Sequence, residues 1–312
     1  MSERAPFAST GAMHYRAHQL LLRSEIALHE LLPATGGVDG QTPDVTIRLG
    51  RVGTDGWADE HRCGPRLWTS PGRLRLQVPG VATFLVEHGR TIVVEPDQGA
   101  DDGSIRLFLL GSAMGALLHQ RGLLVLHGNA IQIGDRCMVC VGQSGMGKST
   151  LAAGFMRRGH SILADDVTPV TRDGLALPGM PRVKLWQDVA DRLGIATTGL
   201  RRIRPNVEKF NYPLGGQFSA QPLPLRWVYL LERGDGEAVH VEPLRGVGRF
   251  TVLREHTYRL RYVEGMKQGP GHLRACSELA GRIRLARVRR PTEGFRLDAL
   301  IDALLADMAA HP

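Results

Sequence analysis

Short runs of alternating hydrophobic and polar residues dominate the first hundred positions of the chain. Glycine, proline or aspartate separates each run from the next, which is the pattern of half-exposed β-strands joined by tight turns. The clearest runs are VTIRLGRV at 45–52, RLRLQVPG at 73–80, ATFLVEHG at 82–89 and RTIVVEP at 90–96. The pattern predicts a small β-rich domain over residues 1–100, a part of the chain that carries no recognisable chemistry.

The hydrophobic pattern changes after a polar stretch rich in glycine and aspartate, DQGADDGS at 97–104, which is the predicted linker. Beyond it, an apolar segment over 105–121 predicts a helix, and two strands follow, joined by a turn near Gly134. The final segment predicts a closing amphipathic helix, whose apolar face comprises Leu297, Leu300, Ile301, Leu304 and Met308. Residues 105–312 are therefore predicted to form one α/β domain.

The stretch VGQSGMGKST at 141–150 contains G-x-x-x-x-G-K-S, the pattern of a phosphate-binding loop. In such a loop, backbone N–H groups point inward, and the following helix adds its N-terminal partial positive charge. Lys148 would reach the β- and γ-phosphates, and Ser149 would offer its hydroxyl to Mg²⁺. The predicted nucleotide-binding residues, with ATP as the expected nucleotide, are Gly142, Gln143, Ser144, Gly145, Met146, Gly147, Lys148, Ser149 and Thr150.

Two adjacent carboxylates, Asp165 and Asp166, end a short predicted strand that begins soon after the helix of the loop. Carboxyl ends of neighbouring parallel strands meet at one edge of a sheet, so both side chains can approach the γ-phosphate. Successive strand residues point in different directions. One carboxylate can therefore bind Mg²⁺ while the other accepts a proton from an attacking hydroxyl. The structural alternative is a helix cap or turn pair, since aspartate is common at strand ends.

One further residue, His127, precedes the loop at a distance that a hairpin could fold back, although a lone histidine is most often structural. Together, H-G at 127–128, G-x-S-G-x-G-K-S at 142–149 and R-G-H-x-x-x-A-D-D at 158–166 resemble the C-terminal domain of HPr kinase/phosphorylase. The resemblance is specific over 120–170 and general over the rest of 105–312.

This resemblance implies an α/β domain related to phosphoenolpyruvate carboxykinase and an ATP- and Mg²⁺-dependent kinase that acts on a serine hydroxyl. It implies that Asp165 is the general base and that Asp166 is a metal or phosphate partner. His127 would lie by the phosphates and, with Lys148, would stabilise the developing charge. The expected catalytic residues are thus Asp165, His127 and Lys148, and the expected metal ligands are Ser149 and Asp166.

The chain departs from that family in one informative segment. The E-x-R-G-x-G loop of bifunctional HPr kinases is absent, and LPGMPRVKLWQDVADRLG stands at 177–194 instead. HPr is therefore not the expected partner, and the departure leaves reverse phosphorylase activity open. The whole chain is more similar to HPr-kinase-related proteins found beside ribosomal-peptide pathways, which include kinases of lasso-peptide precursors. The resemblance thus implies a serine-bearing protein or peptide acceptor and a homo-oligomer.

The composition limits the binding partners and the cellular compartment that are expected for the protein. Hydrophobic residues make up 43% of the chain and charged residues 22%, as in soluble globular proteins. The longest apolar run, 107–119, is too short to span a bilayer, and the N-terminus lacks the apolar core of a secretory signal. A cytoplasmic protein without a membrane partner is therefore expected. The net charge of +8 would suit nucleic acid, but aromatic residues are only 5% of the chain, which argues against that partner.

Several alternatives remain open from the sequence. The same residues could serve a small-molecule kinase, and the loop alone could serve a regulatory nucleotide-binding ATPase. Arg182, Lys184 and Lys209 could clamp phosphates or a peptide carboxylate, or could be solvated surface charges. Cys137 and Cys140 form C-x-x-C on a predicted strand, where residues three apart point to opposite faces, so that a shared metal or disulfide is not expected.

Overall fold

A computed structural model of the protein describes residues 12–35, 40–292 and 296–312. The protein has a mixed α/β structure with two large sheets, as predicted. The backbone divides into two compact units. The first comprises Met1–Leu123, Arg202–Glu208 and Arg259–His272, and the second comprises Leu124–Arg201, Lys209–Tyr258 and Leu273–Pro312. The division into domains 1–100 and 105–312 stays a prediction.

The first unit contains a nine-stranded sheet. Its strands are β1 (Met13–Ala17), β2 (Leu20–Ser24), β3 (Leu32–Pro33), β4 (Val45–Leu49), β5 (His61–Gly64), β6 (Leu67–Ser70), β7 (Arg73–Val78), β8 (Ala82–Glu87) and β9 (Thr91–Pro96). Their order across the sheet is β3-β1-β2-β4-β9-β8-β7-β6-β5. In β8, Ala82, Phe84 and Val86 are buried while the residues between them are partly exposed. The four predicted strands are confirmed as β4, β7, β8 and β9.

The helices are short, and most are buried along one side. They are α1 (Asp102–Phe108), α2 (Met114–Gln120), α3 (Lys148–Arg157), α4 (Gln187–Leu193), α5 (Val247–Glu255), α6 (Leu260–Gly265), α7 (Gly269–Arg282) and α8 (Leu297–Ala310). A π-helical turn over Leu109–Ala113 joins α1 to α2, which confirms the predicted helical segment at 105–121. Within the described parts of the chain, every helix is too short or too polar to cross a lipid bilayer.

The second unit contains the other nine-stranded sheet and a separate two-stranded antiparallel sheet. The sheet strands are β10 (Leu124–Leu126), β11 (Gly128–Ile133), β12 (Arg136–Val141), β13 (Ile162–Ala164), β14 (Thr168–Val170), β15 (Leu175–Ala176), β18 (Leu223–Gly234), β19 (His240–Pro243) and β20 (Arg284–Pro291). The strands of the two-stranded sheet are β16 (Arg182–Trp186) and β17 (Lys209–Pro213). The sheet order is β10-β14-β15-β18-β12-β11-β13, with β20 beside β18 and β19 beside β20.

Strand direction in this second sheet brings several strand ends to one edge. Strands β12, β18 and β20 run parallel to one another. Strand β11 is antiparallel to both β12 and β13, so β13 points the same way as β12. The carboxyl ends of β12, β13, β18 and β20 therefore share an edge, which is where α/β sheets commonly bind ligands.

The core on either side of this sheet follows from the alternation along β12. Cys140 packs with Met138 and α3 on one side, and Cys137 packs with Val139 on the other. The two cysteines thus point to opposite faces, as the strand position predicted. On the first side, Leu297, Leu300, Ile301, Leu304 and Met308 of α8 are all buried, which confirms the predicted apolar face.

Candidate active site

The loop over residues 142–147 connects β12 to α3 and has the backbone shape that its glycines permit. Gly147 caps α3 at φ 98°, in the left-handed region. A Cβ on Gly142 would lie 2.6 Å from the carbonyl oxygen of Leu231 in β18, so any larger residue would push the loop off the sheet. The loop is therefore seated closely against β18, with the N-terminus of α3 directly after it.

Lys148 folds back over the loop that precedes it. Its ammonium donates to the carbonyl oxygens of Gly142 at 2.7 Å and of Gln143 at 3.1 Å. Burial lowers the pKa of Lys148, while Cys140 and the two aspartates act in the opposite direction. The ammonium thus lies beside the first turn of α3, at the place where the motif predicts it.

Strand β20 supports the loop through Arg290, a residue that the sequence pattern did not single out. Its Nε donates to the carbonyl oxygen of Met146 at 3.1 Å. A Cβ on Gly147 would lie 3.6 Å from another nitrogen of the same guanidinium. Burial and the charge of Arg233 lower the pKa of Arg290. Arg290 therefore holds the loop through the backbone of Met146 and brings positive charge to the N-terminus of α3.

The two aspartates follow β13 directly, and polar groups of neighbouring strands lie at both oxygens of each carboxylate. Asp165 accepts from Nδ2 of Asn129 at 2.6 Å on Oδ1 and from the backbone N–H of Lys184 at 2.8 Å on Oδ2. Asp166 lies 3.2 Å from Nδ1 of His127 through Oδ1 and accepts from the Lys184 ammonium at 2.8 Å on Oδ2. Asp166 has φ 75°, a left-handed turn that separates the two side chains.

All of these groups come from the start of β11 or from Lys184. His127 and Asn129 lie two residues apart at the start of β11, so their side chains point to the same side of the sheet. Lys184 in β16 serves one aspartate with its backbone and the other with its side chain. Sequence reasoning named His127 and Lys184 but missed Asn129. The available signal was its position two residues after His127.

The surroundings shift the pKa values of the two carboxyl groups in opposite directions. Burial raises the pKa of Asp165, and the charge of Asp166 adds to this effect. Burial also acts to raise the pKa of Asp166, but the charges of Lys184 and His127 and the Lys184 hydrogen bond together hold it well below its usual range. Asp166 is therefore the carboxylate that stays ionised, and Asp165 is the better proton acceptor.

His127 is held on both sides. Its backbone N–H donates to the carbonyl oxygen of His256 at 2.7 Å, and its ring lies 5.8 Å from that of Tyr258. Burial lowers the pKa of His127 against the attraction of Asp166. Burial, with the nearby charges of Lys148 and His127, lowers the pKa of His256 to about 4. The pKa values of both imidazoles therefore lie below the ordinary value of histidine.

A cavity of about 820 Å³ brings most of the predicted site residues together. Its lining includes His127, Ser144, Gly145, Gly147, Lys148, Ser149, Thr150, Asp165 and Asp166. Gly142, Gln143 and Met146 belong to the loop but do not line the cavity, and their carbonyls bind Lys148 and Arg290 instead. The lining also includes residues that the sequence pattern did not indicate: Asn129, Trp186, Asp188, Val189, Arg192, Arg233, Arg290 and Arg296.

Arg182, Lys184 and Lys209, whose role the sequence left open, have different positions in the structure. Lys209 lines the cavity, and its ammonium lies 5.3 Å from the ring centre of Trp186. Burial lowers the pKa of Lys209, against the charge of Asp165. Lys184 is buried on Asp166, and Arg182 is buried at the start of β16 with a contact to the sulfur of Met180. None of these three is a solvated surface charge.

The donor set suits Mg²⁺ better than a softer metal. Ser149 and Asp166 offer hard oxygen atoms on the same cavity. Mg²⁺ is commonly held by one or two such protein ligands together with substrate phosphates and water. Among the described residues, no cluster of three or more histidine, cysteine, aspartate or glutamate side chains forms a complete metal cage. The residues therefore fit a metal that arrives with a phosphate chain.

Comparison with known proteins gives a partial sequence match. No protein-family model matches the chain. The HPr kinase/phosphorylase of Chloroherpeton thalassium is 31% identical over 118 residues, covering 34% of this chain and only 34% of the relative's own length. The solved Hpr(Ser) kinase/phosphatase from Coxiella burnetii aligns with 60% of this chain and 90% of its own, at 14% identity and a TM-score of 0.27, too low for any structural argument. The sequence resemblance to HPr kinase/phosphorylase is thus confirmed over the matched segment, while the lasso-peptide branch remains a prediction.

Proposed function

We propose that the protein is a kinase that transfers the γ-phosphate of ATP to a serine hydroxyl of a protein or peptide, with Mg²⁺ as the metal. One observation carries the proposal: the carboxylates of Asp165 and Asp166, each held by its own donors, line the same cavity as Lys148. A loop that only bound nucleotide would not require two carboxylates there. The sequence similarity to an HPr kinase/phosphorylase supports the same class of reaction.

In this proposal, residues 142–150 form a phosphate-binding loop for ATP. The N–H groups of the loop and of the first turn of α3 would bind the phosphate oxygens. The Lys148 ammonium has three N–H donors, of which two already bind the loop, so it can turn a donor toward a phosphate without leaving its place. Arg290 adds a second cation at the same end of α3.

Ser149 and Asp166 would hold Mg²⁺, which neutralises charge on the phosphate oxygens when it is bound. The Asp166 carboxylate is already ionised and oriented, because the Lys184 ammonium binds one of its oxygens at 2.8 Å. His127 therefore has a task beyond its predicted place by the phosphates, since its Nδ1 is hydrogen-bonded to the backbone carbonyl oxygen of Asp166 at 3.1 Å and so holds the turn that carries this carboxylate. This is the preorganisation that a transfer reaction requires of a site.

Asp165 is the proposed general base. Each of its oxygens accepts one hydrogen bond and retains a second acceptor position for the serine hydroxyl. The serine oxygen would attack the γ-phosphorus as its proton moves to Asp165, and the bond from that phosphorus to the ADP oxygen would break in line. The raised pKa of Asp165 favours this proton transfer near neutral pH.

The finer parts of the proposal rest on sequence resemblance. They are a fold of the HPr kinase and phosphoenolpyruvate carboxykinase type preceded by a β-rich domain, a homo-oligomer, and a ribosomally made, lasso-type precursor peptide as acceptor. The departure at 177–194 supports an acceptor other than HPr. This segment forms β16 and α4, which line the cavity with Trp186 and Val189.

The direct test is transfer from γ-labelled ATP, with Mg²⁺, to short peptides encoded beside the gene, read by mass spectrometry. A phosphate on a peptide serine, lost in Asp165→Asn but kept in the surface control Asp173→Asn, is the expected result. Transfer only to small molecules of a cell extract would replace the peptide acceptor with a small-molecule one. Steady hydrolysis with no acceptor, together with salt-sensitive nucleic-acid binding, would instead identify a regulatory ATPase.

A further inference from the structure

Asn129 occupies a position where a polar side chain needs a partner. It is the second residue of β11, its backbone is paired opposite Cys140 of β12, and only 1% of its surface is exposed. A buried amide without a hydrogen bond costs free energy, so a strand interior normally carries an apolar residue at such a site. The partner of Asn129 is the Oδ1 atom of Asp165, 2.6 Å from Nδ2.

The direction of this hydrogen bond is settled by chemistry. An ionised carboxylate only accepts, so the amide group must present its NH₂ side to Asp165. The backbone N–H of Lys184 donates to the other oxygen of the same carboxylate at 2.8 Å. Asp165 is therefore held at both oxygens by donors from two different strands.

Two donors on opposite oxygens restrict a rotation that one donor leaves free. The last torsion of an aspartate side chain is broad and nearly two-fold, so the plane of an isolated carboxylate is poorly defined. With Lys184 alone, the Asp165 carboxylate could swing about that single hydrogen bond. The second bond, from Asn129, sets the plane and thereby the direction of the remaining acceptor positions that face the cavity.

Asn129 is also a neutral donor, unlike the Lys184 ammonium that binds the neighbouring carboxylate. Asp166 is paired with the Lys184 ammonium and lies against the His127 ring. A cation at residue 129 would form a comparable ion pair with Asp165 and occupy it. The amide orients the carboxylate without an opposite charge.

We propose that Asn129 is a positioning residue that fixes the plane of the Asp165 carboxylate toward the acceptor side of the cavity. The inference rests on the proposed function, in which Asp165 receives the proton of the acceptor hydroxyl. Asn129 acts through Asp165, to which its side chain is hydrogen-bonded, so its loss lowers the rate of transfer and leaves ATP binding as it is.

The test compares two substitutions that keep the branched outline of the side chain, Asn129→Leu and Asn129→Asp, with Gln132→Leu on the same strand as the matched control. Leucine removes the donor, and aspartate can pair with Asp165 only by sharing a proton with it, which takes up the acceptor that the amide leaves available. Crystal structures should show the Asp165 carboxylate rotated in Asn129→Leu and unmoved in the Gln132→Leu control. The kcat for transfer should fall about 10- to 100-fold in both Asn129 variants, with an unchanged KM for ATP.

A purely structural role predicts a different order of effects. The near-isosteric aspartate would then be harmless, and Asn129→Ala would be the most damaging change because it leaves a cavity. An Asp165 carboxylate that keeps its plane in both Asn129 variants, or an unchanged kcat despite rotation, would overturn the inference. If the wild-type protein phosphorylates no serine, but the Asp165 carboxylate still rotates in Asn129→Leu, the positioning role stands and the proposed function is wrong.

Discussion

Arg290 donates a hydrogen bond from Nε to the carbonyl oxygen of Met146, and this contact ties the end of β20 to the loop before α3. The two residues are 144 positions apart in the chain. The bond holds a segment whose glycines leave it conformationally free, since Gly142, Gly145 and Gly147 all have positive φ. The loop is therefore shaped by the last strand of the sheet as well as by its own sequence.

Removing this support should weaken nucleotide binding. Arg290→Met keeps a flexible apolar side chain like the stem of arginine but loses its donors and its charge. We expect the Kd for ATP, measured by calorimetry, to rise about tenfold, which corresponds to about 1.4 kcal/mol. The control is Arg289→Met, because Arg289 pairs with Glu242 in a partly exposed position away from the loop. Equal ATP affinity in the two variants would show that the loop keeps its shape without Arg290.

The two aspartates should fail in different ways when they are changed one at a time. Asp165→Asn should abolish transfer while ATP binding keeps its dependence on Mg²⁺. Asp166→Asn removes the ionised carboxylate and should abolish the gain in ATP affinity that Mg²⁺ provides. ATP titrations with and without Mg²⁺, run beside the transfer assay, distinguish the roles. If Asp165→Asn is the variant that loses the Mg²⁺ effect, the two assignments must be exchanged.

Gly128 should be intolerant of any side chain, because it separates the two residues that hold the aspartates. A Cβ there would lie 2.5 Å from the backbone oxygen of Cys140, which cannot move without breaking the β11–β12 ladder. We expect Gly128→Ala to lower the free energy of unfolding by about 2 kcal/mol, measured with urea, and to reduce transfer through displaced His127 and Asn129. In the control Gly236→Ala, the nearest atom is 3.8 Å away, and stability should be unchanged.

The closing helix should give the second unit a measurable pH dependence of stability. Asp307 of α8 accepts two hydrogen bonds from Arg284 and one from the Tyr229 hydroxyl, and its side chain is only 11% exposed. Burial acts to raise the pKa of Asp307, but these hydrogen bonds and the Arg284 charge lower it. The carboxylate therefore stabilises the folded state above the unfolded pKa of about 3.9, and this contribution disappears as the pH falls through the lower folded value.

The corresponding variant is Asp307→Asn, which leaves Arg284 buried without a carboxylate. We expect it to cost about 3 kcal/mol at pH 7 in urea unfolding, and the difference from wild type should shrink toward pH 3. Asp302→Asn on the exposed side of α8 is the control, because it breaks only a surface pair with Arg158. It should change stability by less than about 1 kcal/mol. A difference for Asp307→Asn that stays constant with pH would contradict the argument.

Local sequence was sufficient to predict the elements that carry the loop and the aspartates. The G-x-x-x-x-G-K-S spacing, the strand before it and the helix after it are all short-range features. The short strand at 162–164 ends where the aspartates begin, as predicted. The helices and strands were predictable for the same reason: burial on one face imposes a period that is visible in the chain itself.

Other parts of the site depend on pairings between distant segments. Asn129 and Asp165 are 36 residues apart, and they meet because β11 lies between β12 and β13. From the sequence, Lys184 could be either a surface charge or a site residue. The pairing of β16 with β17 places it against both aspartates. No local pattern encodes such neighbours.

The sequence by itself determined the chemistry that is available: a lysine and a serine after a glycine-rich loop, and two adjacent carboxylates at a strand end. The tertiary structure alone decided how the carboxylates differ and what supports the loop. The physical reason is that pKa and orientation depend on burial and on nearby donors, such as Asn129 for Asp165 and Lys184 for Asp166. Sheet order and strand direction set those neighbours, and they arise from packing over the whole unit.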